Sequence, residues 1–185
     1  MTGLARKGGI AASIVLITFG IGALVVGLAG RDTVRSDLAR EQIVGTPDST
    51  IPNQSVDTGG EAKAFAAVMR KHTLAATRGQ TYAQMPHFLD SSGKPTEDEA
   101  AAAKDSKTGE PVENPARNIW VSSTAFQSAL NMAYFAENVT MFVMAMGGVL
   151  LLVGIGFLVL ALRLPRRESS TERVAAQGRV APVTG

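Results

Sequence analysis

Two long runs of the chain carry no charged residue, and they constrain the fold more than any other feature. Ile10 to Gly30 has 21 residues and Thr140 to Leu162 has 23. At ~1.5 Å per residue these reach ~31 Å and ~34 Å as helices, which matches a bilayer hydrocarbon core of ~30 Å. Charge closes both runs: Lys7 and Arg31 flank the first, Glu137 and Arg163 the second. A soluble domain in a chain of 185 residues would rarely bury two such runs. The expected class is therefore an all-α membrane protein. Its two transmembrane helices would form an antiparallel hairpin, with a small, partly irregular helical extracytoplasmic segment between them. The divisions are an N-terminal tail 1–9, a first span 10–30, an outer segment 31–138, a second span 139–162 and a disordered tail 163–185.

A secretory signal peptide is the rival reading of the first run. Arg6 and Lys7 precede it, and Gly27-Leu28-Ala29 offers small residues for cleavage. The apolar region is longer than the ~7–15 residues of a cleaved signal, which favours an anchor.

Charge sets the expected orientation. Arg6 and Lys7 mark the first tail; Arg163, Arg166, Arg167, Arg173 and Arg179 mark the second. Residues 31–138 hold eleven Lys and Arg against fourteen Asp and Glu. The positive-inside rule then places both termini in the cytoplasm of a plasma-membrane protein. Arg31, Arg35 and Arg40, just outside the first span, argue weakly the other way.

Within the spans, Gly20, Ala23, Gly27 and Gly30 fall on one helix face, and Gly147, Gly154 and Ala161 recur every seven residues. Small residues let helix backbones approach closely where lipid gives no hydrophobic drive, so these are the helix-packing candidates. Neither span contains Asp, Glu, Lys, Arg or His, so nothing marks an ion path.

The outer segment reads as helices joined by loops. Asp32 to Val44 continues the first helix until Gly45-Thr46-Pro47. Asp48 to Gly60 reads as loop. Glu61 to Thr77 is the best soluble helix, with Phe65, Val68, Met69, His72 and Ala75 near one stripe and Arg78-Gly79 as its stop. Thr96 with Glu99 suggests a capping box before a short helix at Ala100 to Lys104. Asn114-Pro115 reads as an N-cap followed by proline at the first helical position. From there the second membrane helix extends outward by about six turns. Its apolar side would pack on the 61–77 helix and the 34–44 extension as a small core.

Little in the chain points to catalysis. With no cysteine, disulfides, thiolate metal sites and cysteine nucleophiles are excluded. His72 and His87, with Asp90, are enough in number for a two-His, one-carboxylate metal, but no H-x-[DE] unit or H-x-x-x-H pair accompanies them. No P-loop or nucleophile elbow is present. A net charge of +2 gives no case for nucleic acid. The expectation is a non-enzyme with no cofactor, whose partners are the lipid bilayer and another membrane or envelope protein, or a second copy. Two alternatives stand beside it. One is an outer ligand-binding module using Phe65, Tyr82, Phe88 and Trp120. The other is a metal enzyme using His72 and His87.

Three stretches carry a resemblance: Glu41-Gln42-Ile43-Val44, Ala64-Phe65-Ala66 through Met69-Arg70-Lys71-His72-Thr73-Leu74, and Thr77-Arg78-Gly79-Gln80-Thr81-Tyr82-Ala83-Gln84-Met85. Together they resemble small two-span membrane proteins of actinobacteria with a His-x-Leu…Gly-x-Thr-Tyr-Ala stretch between two hydrophobic helices. That resemblance implies no defined activity. Some members bear the label aromatic ring-opening dioxygenase, a chemistry needing a non-haem iron site in a deep pocket, to which this chain lends little support.

Overall fold

A computed structural model describes residues 2–163. Three helices dominate: α1 (Thr2–Arg40), α2 (Gly59–Ala76) and α3 (Pro115–Arg163). A 3-10 turn lies at Tyr82–Gln84, and the two-residue strands β1 (Phe88–Leu89) and β2 (Pro95–Thr96) pair antiparallel. α1 and α3 each contain a stretch long and apolar enough to cross a membrane. Only 11% of either apolar window is buried, whereas the core helix of a soluble domain would be mostly covered. The expected tail 163–185 lies outside the described residues beyond Arg163.

Two compact units divide the chain, one of residues 1–28 with 142–185 and one of Ala29–Met141. In the first, the helices meet at their small residues. A Cβ on Gly20 would stand 2.8 Å from the Gly147 carbonyl oxygen, and one on Gly147 would stand 3.0 Å from Ala23 Cβ. Gly154 faces Ile17 in the same way, and Gly9 faces Ala161 Cβ at 3.0 Å. Ser13 is fully buried and donates to the Ile10 carbonyl at 2.7 Å.

The second unit has the only sizeable apolar core among the described residues. Leu38 from α1, Ala62 and Ala66 from α2, Leu130 from α3 and Val56 from the intervening loop make its centre. Phe65 and Phe126 pack edge to face against it, with centroids 6.5 Å apart.

Local chemistry explains the element ends. Thr58 caps α2: its hydroxyl accepts from the Glu61 N–H, and the Glu61 carboxylate accepts from the Thr58 N–H at 2.9 Å. Thr77, Arg78 (φ 54°) and Gly79 (φ 78°) close it, with the Gly79 N–H on the Leu74 carbonyl. α1 stops at Arg40, four residues before the expected end, because the chain turns back at Gln42 (φ 52°). Val56 N–H then donates to the Ile43 carbonyl at 2.9 Å, and Gly45 N–H to the Gln54 carbonyl at 2.8 Å. The expected loop is thus a tight turn-back that carries Val56 into the core.

The short helix expected at Ala100 to Lys104 does not form. Thr96 accepts from the Asp98 N–H and Asp98 from the Ala100 N–H, which holds the entry as successive turns. Ala103 N–H goes to the Leu89 carbonyl and Val112 N–H to that of Ala103. Backbone groups that a helix would pair internally are satisfied across the loop instead. A five-residue helix has too few bonds to offset its nucleation.

Candidate functional site

An apolar groove on the second unit is the site the geometry favours. It encloses about 620 Å³ between the α1 and α3 segments of that unit. Leu38 and Leu130 form its floor, 7% and 2% exposed. Val34, Ile43, Ala129 and Ala133 form its walls, and Asp37 and Glu41 lie at its polar rim. Met132 and Phe135 stand at its edge, 73% and 67% exposed. Large apolar side chains this open to solvent, beside a preformed groove, are characteristic of an interaction surface. The α3 wall carries no charge between Arg117 and Glu137.

Glu137 closes the unit at one end. Its side chain is 6% exposed, and one oxygen accepts from Arg31 Nε at 3.1 Å and Arg35 Nε at 3.0 Å. The other accepts from the Gly59 N–H at 2.5 Å. Gly59 opens α2, so the carboxylate meets that helix at its positive end. Burial opposes the charged form. The Gly59 N–H and then the two guanidiniums outweigh it, holding the carboxyl below its ordinary value. No side chain fits at residue 59, where a Cβ would lie 2.8 Å from Tyr134 Cα. Arg31 and Arg35, which sat awkwardly with the expected orientation, are thus structural partners of an acid on α3. A sign of this lay in the sequence: Glu137 is the sole charged residue between Arg117 and Arg163.

The two histidines lie in separate clusters. His72 Nε2 is 2.9 Å from Asp48, which also accepts from Lys71 Nζ at 2.8 Å. Lys71 first, then His72 and Thr46, hold the Asp48 carboxyl far below its usual range. His87 Nδ1 is 2.6 Å from Glu97. Among the described residues no three His, Asp or Glu side chains converge as a metal site would require. A second apolar hollow of about 660 Å³ has Met69, His72, Ile119 and Phe126 in its wall, and there the Thr73 and Ser123 hydroxyls hydrogen-bond.

The aromatics proposed as a ligand pocket line neither of these hollows. Phe65 belongs to the core cluster, and Tyr82 lies under the Arg117 guanidinium at 3.9 Å. Phe88 is in β1, and Trp120 lies under Arg70 at 5.6 Å. Of the helix-packing candidates, Gly20, Ala23, Gly147, Gly154 and Ala161 take part in the α1–α3 contacts above, and Gly27 is buried. Gly30 belongs to the second unit, where a Cβ would lie 2.9 Å from Thr140 Cγ2. Gly9 and Ser13 also occupy this kind of position; they continue the 3–4 spacing of Gly20, Ala23, Gly27 and Gly30 toward the N-terminus, although they are not among the candidates read from the sequence.

Comparison with protein-family models, with curated proteins and with solved structures returns no match. The chain is accordingly defined by its own features: a helical protein with two potential membrane-crossing helices and a small second unit with an apolar core.

Proposed function

We propose that this is an integral membrane protein without catalytic activity. It would act as an interaction or accessory component of the cell envelope through residues 31–138. The groove carries this reading: a preformed apolar cleft edged by Met132 and Phe135, on a unit whose two histidines each contact a different carboxylate. In the proposed arrangement α1 and α3 cross the plasma membrane as an antiparallel hairpin, with both termini cytoplasmic. Support comes from the order of contacts, in which Gly9 faces Ala161 while Ala23 faces Gly147. The charge of the two tails supports the orientation.

Mild-detergent purification from native membranes, with mass spectrometry and metal analysis on one sample, tests the function. A stoichiometric partner that is lost in Ala129→Glu, on the groove wall, is the expected result. A protein that purifies alone, or with stoichiometric metal, overturns it. Lys107→Cys in this cysteine-free chain, labelled on intact cells by a membrane-impermeant maleimide, tests the orientation. Labelling only after lysis would reverse it.

A further inference from the structure

In the first unit, a second hollow lies where the start of α1 meets the end of α3. It encloses about 430 Å³. Gly8 and Ala12 form its α1 wall, Phe157 and Leu160 its α3 wall, and the Gly9–Ala161 contact its floor. The α1 wall has almost no side chain, and a Cβ on Gly8 would meet nothing within 4 Å. The α3 wall is apolar and open, with Phe157 and Leu160 47% and 66% exposed. Cations gather at one end of this hollow. Arg6 and Lys7 directly precede Gly8. Arg163 follows Ala161 by two residues, which sets it level with Lys7 across the Gly9–Ala161 contact. No Asp or Glu occurs among the described residues of this unit to oppose them. The positive end of the α1 dipole lies here too, with no acid in its first turn. Arg6 is half-buried, and its Nε is buried with no hydrogen-bond partner among the described residues. A buried charged donor left unpaired is costly, and a guanidinium suits carboxylate or phosphate oxygens.

We propose that this end of the first unit is a binding site for one anionic phospholipid, with its phosphate on Arg6, Lys7 and Arg163 and an acyl chain in the hollow. The two halves of the site match the two halves of such a lipid. A soluble anion would answer the cations and leave Phe157 and Leu160 uncovered. A neutral lipid or an apolar helix would cover those side chains and leave the Arg6 Nε and its neighbouring cations without counter-charge. In the proposed orientation this end meets the cytoplasmic leaflet, where acidic lipids are enriched and basic pockets between membrane helices hold their headgroups. The site shares no residue with the groove of the second unit, so lipid and protein partner can be bound together.

The inference rests on the membrane reading, and the two fail separately. Protein released from membranes by alkaline carbonate would overturn that reading; protein that stays in the membrane but shows no lipid preference overturns only this site. The test is native mass spectrometry of the full chain in mild detergent, with phosphatidylglycerol or phosphatidylcholine of matched acyl chains added. One phosphatidylglycerol per chain is expected to survive, several-fold above phosphatidylcholine. Arg6→Gln should remove that preference. Gly8→Leu, at a position with open space for the side chain, should fill the hollow and lower retention several-fold. Gly22→Leu, equally open but away from the hollow, should retain lipid as the parent does. Equal retention of the two lipids by the parent overturns the proposal, as does no retained lipid, which a hollow covered by a protein helix or by the chain's own tail would give. So does an unchanged preference in Arg6→Gln, or retention by Gly8→Leu that matches Gly22→Leu.

Discussion

The carboxylate of Glu137 and the N–H of Gly59 lie 2.5 Å apart, and this contact joins the start of α2 to α3. Arg31 and Arg35, four residues apart on α1, reach the other carboxylate oxygen. One acid thus holds the three helical segments whose side chains make the core. Glutamine keeps one acceptor oxygen and puts an NH2 donor in place of the other, so either the Gly59 N–H or the two guanidiniums lose their acceptor. Both arginines are more than a third exposed, so water replaces part of what they lose. Glu137→Gln is expected to lower the stability of the second unit by about 1.5–3 kcal/mol, the range for hydrogen bonds to a charged group. The single tryptophan, Trp120, lies in this unit and reports its unfolding by fluorescence. An unfolding midpoint unchanged from the parent would show that the acid is dispensable.

The same carboxylate makes stability depend on pH. Its folded pKa lies below the ordinary 4.5, so the unfolded chain binds its proton more readily. The contribution is complete above about pH 4.5 and is lost as pH falls through the folded value. Asp48, also held low, acts in the same direction. A Trp120 titration should fall on the acid side, with a shallower slope in Glu137→Gln. Identical slopes would remove Glu137 from the account.

Gly45 and Gly60 should respond in opposite ways to alanine. A Cβ on Gly45 would stand 1.9 Å from the Ile51 carbonyl oxygen, a clash that only backbone movement relieves. Gly45→Ala is expected to cost about 1–3 kcal/mol. Gly60, within α2, has no atom nearer than 3.9 Å, so Gly60→Ala should stabilise by about 0.5–1 kcal/mol. Denaturant midpoints compare the pair directly, and equal shifts would contradict the turn-back geometry.

Gly9 and Ala161 offer a covalent test of the α1–α3 contact. The two Cβ positions are 3.0 Å apart, close to the ~3.5–4.5 Å of a disulfide. Gly9→Cys combined with Ala161→Cys should form an intramolecular disulfide under mild oxidation, visible as faster migration on a non-reducing gel. Gly3→Cys in place of Gly9→Cys, at a position with open surroundings, should not. Equal bridging by both pairs would mean that α1 and α3 slide freely.

Elements whose stability is local were readable in advance. The α2 stripe and its Arg78-Gly79 stop are chain-neighbour chemistry, and so is the Asn114-Pro115 start of α3. The structure starts α2 two residues earlier than expected, at Gly59, because Thr58 and Glu61 form the capping box there. That box was present in the sequence three residues apart, within a stretch dominated by loop-forming residues. By contrast, Ala100 to Lys104 had a helical composition and no helix, since partners at Leu89 and Val112 lie outside any local window. The junction at Glu137 was invisible for the same reason: its arginines are 106 and 102 residues away along the chain. The groove needed Leu38 and Leu130 brought together, which only the packed unit does.

The junction also distinguishes two kinds of change that the chain can undergo. Glu137 and Leu130 are two turns apart on the same side of α3, so the face that sets Leu130 in the core also brings Glu137 to the arginines. A single residue inserted between them would rotate the acid by about 100° and withdraw it from Arg31, Arg35 and Gly59. Exposed positions such as Asn131, Met132 and Phe135 could exchange side chains without moving it. Over this stretch the junction is indifferent to the spelling of the exposed positions and intolerant of a one-residue change in length.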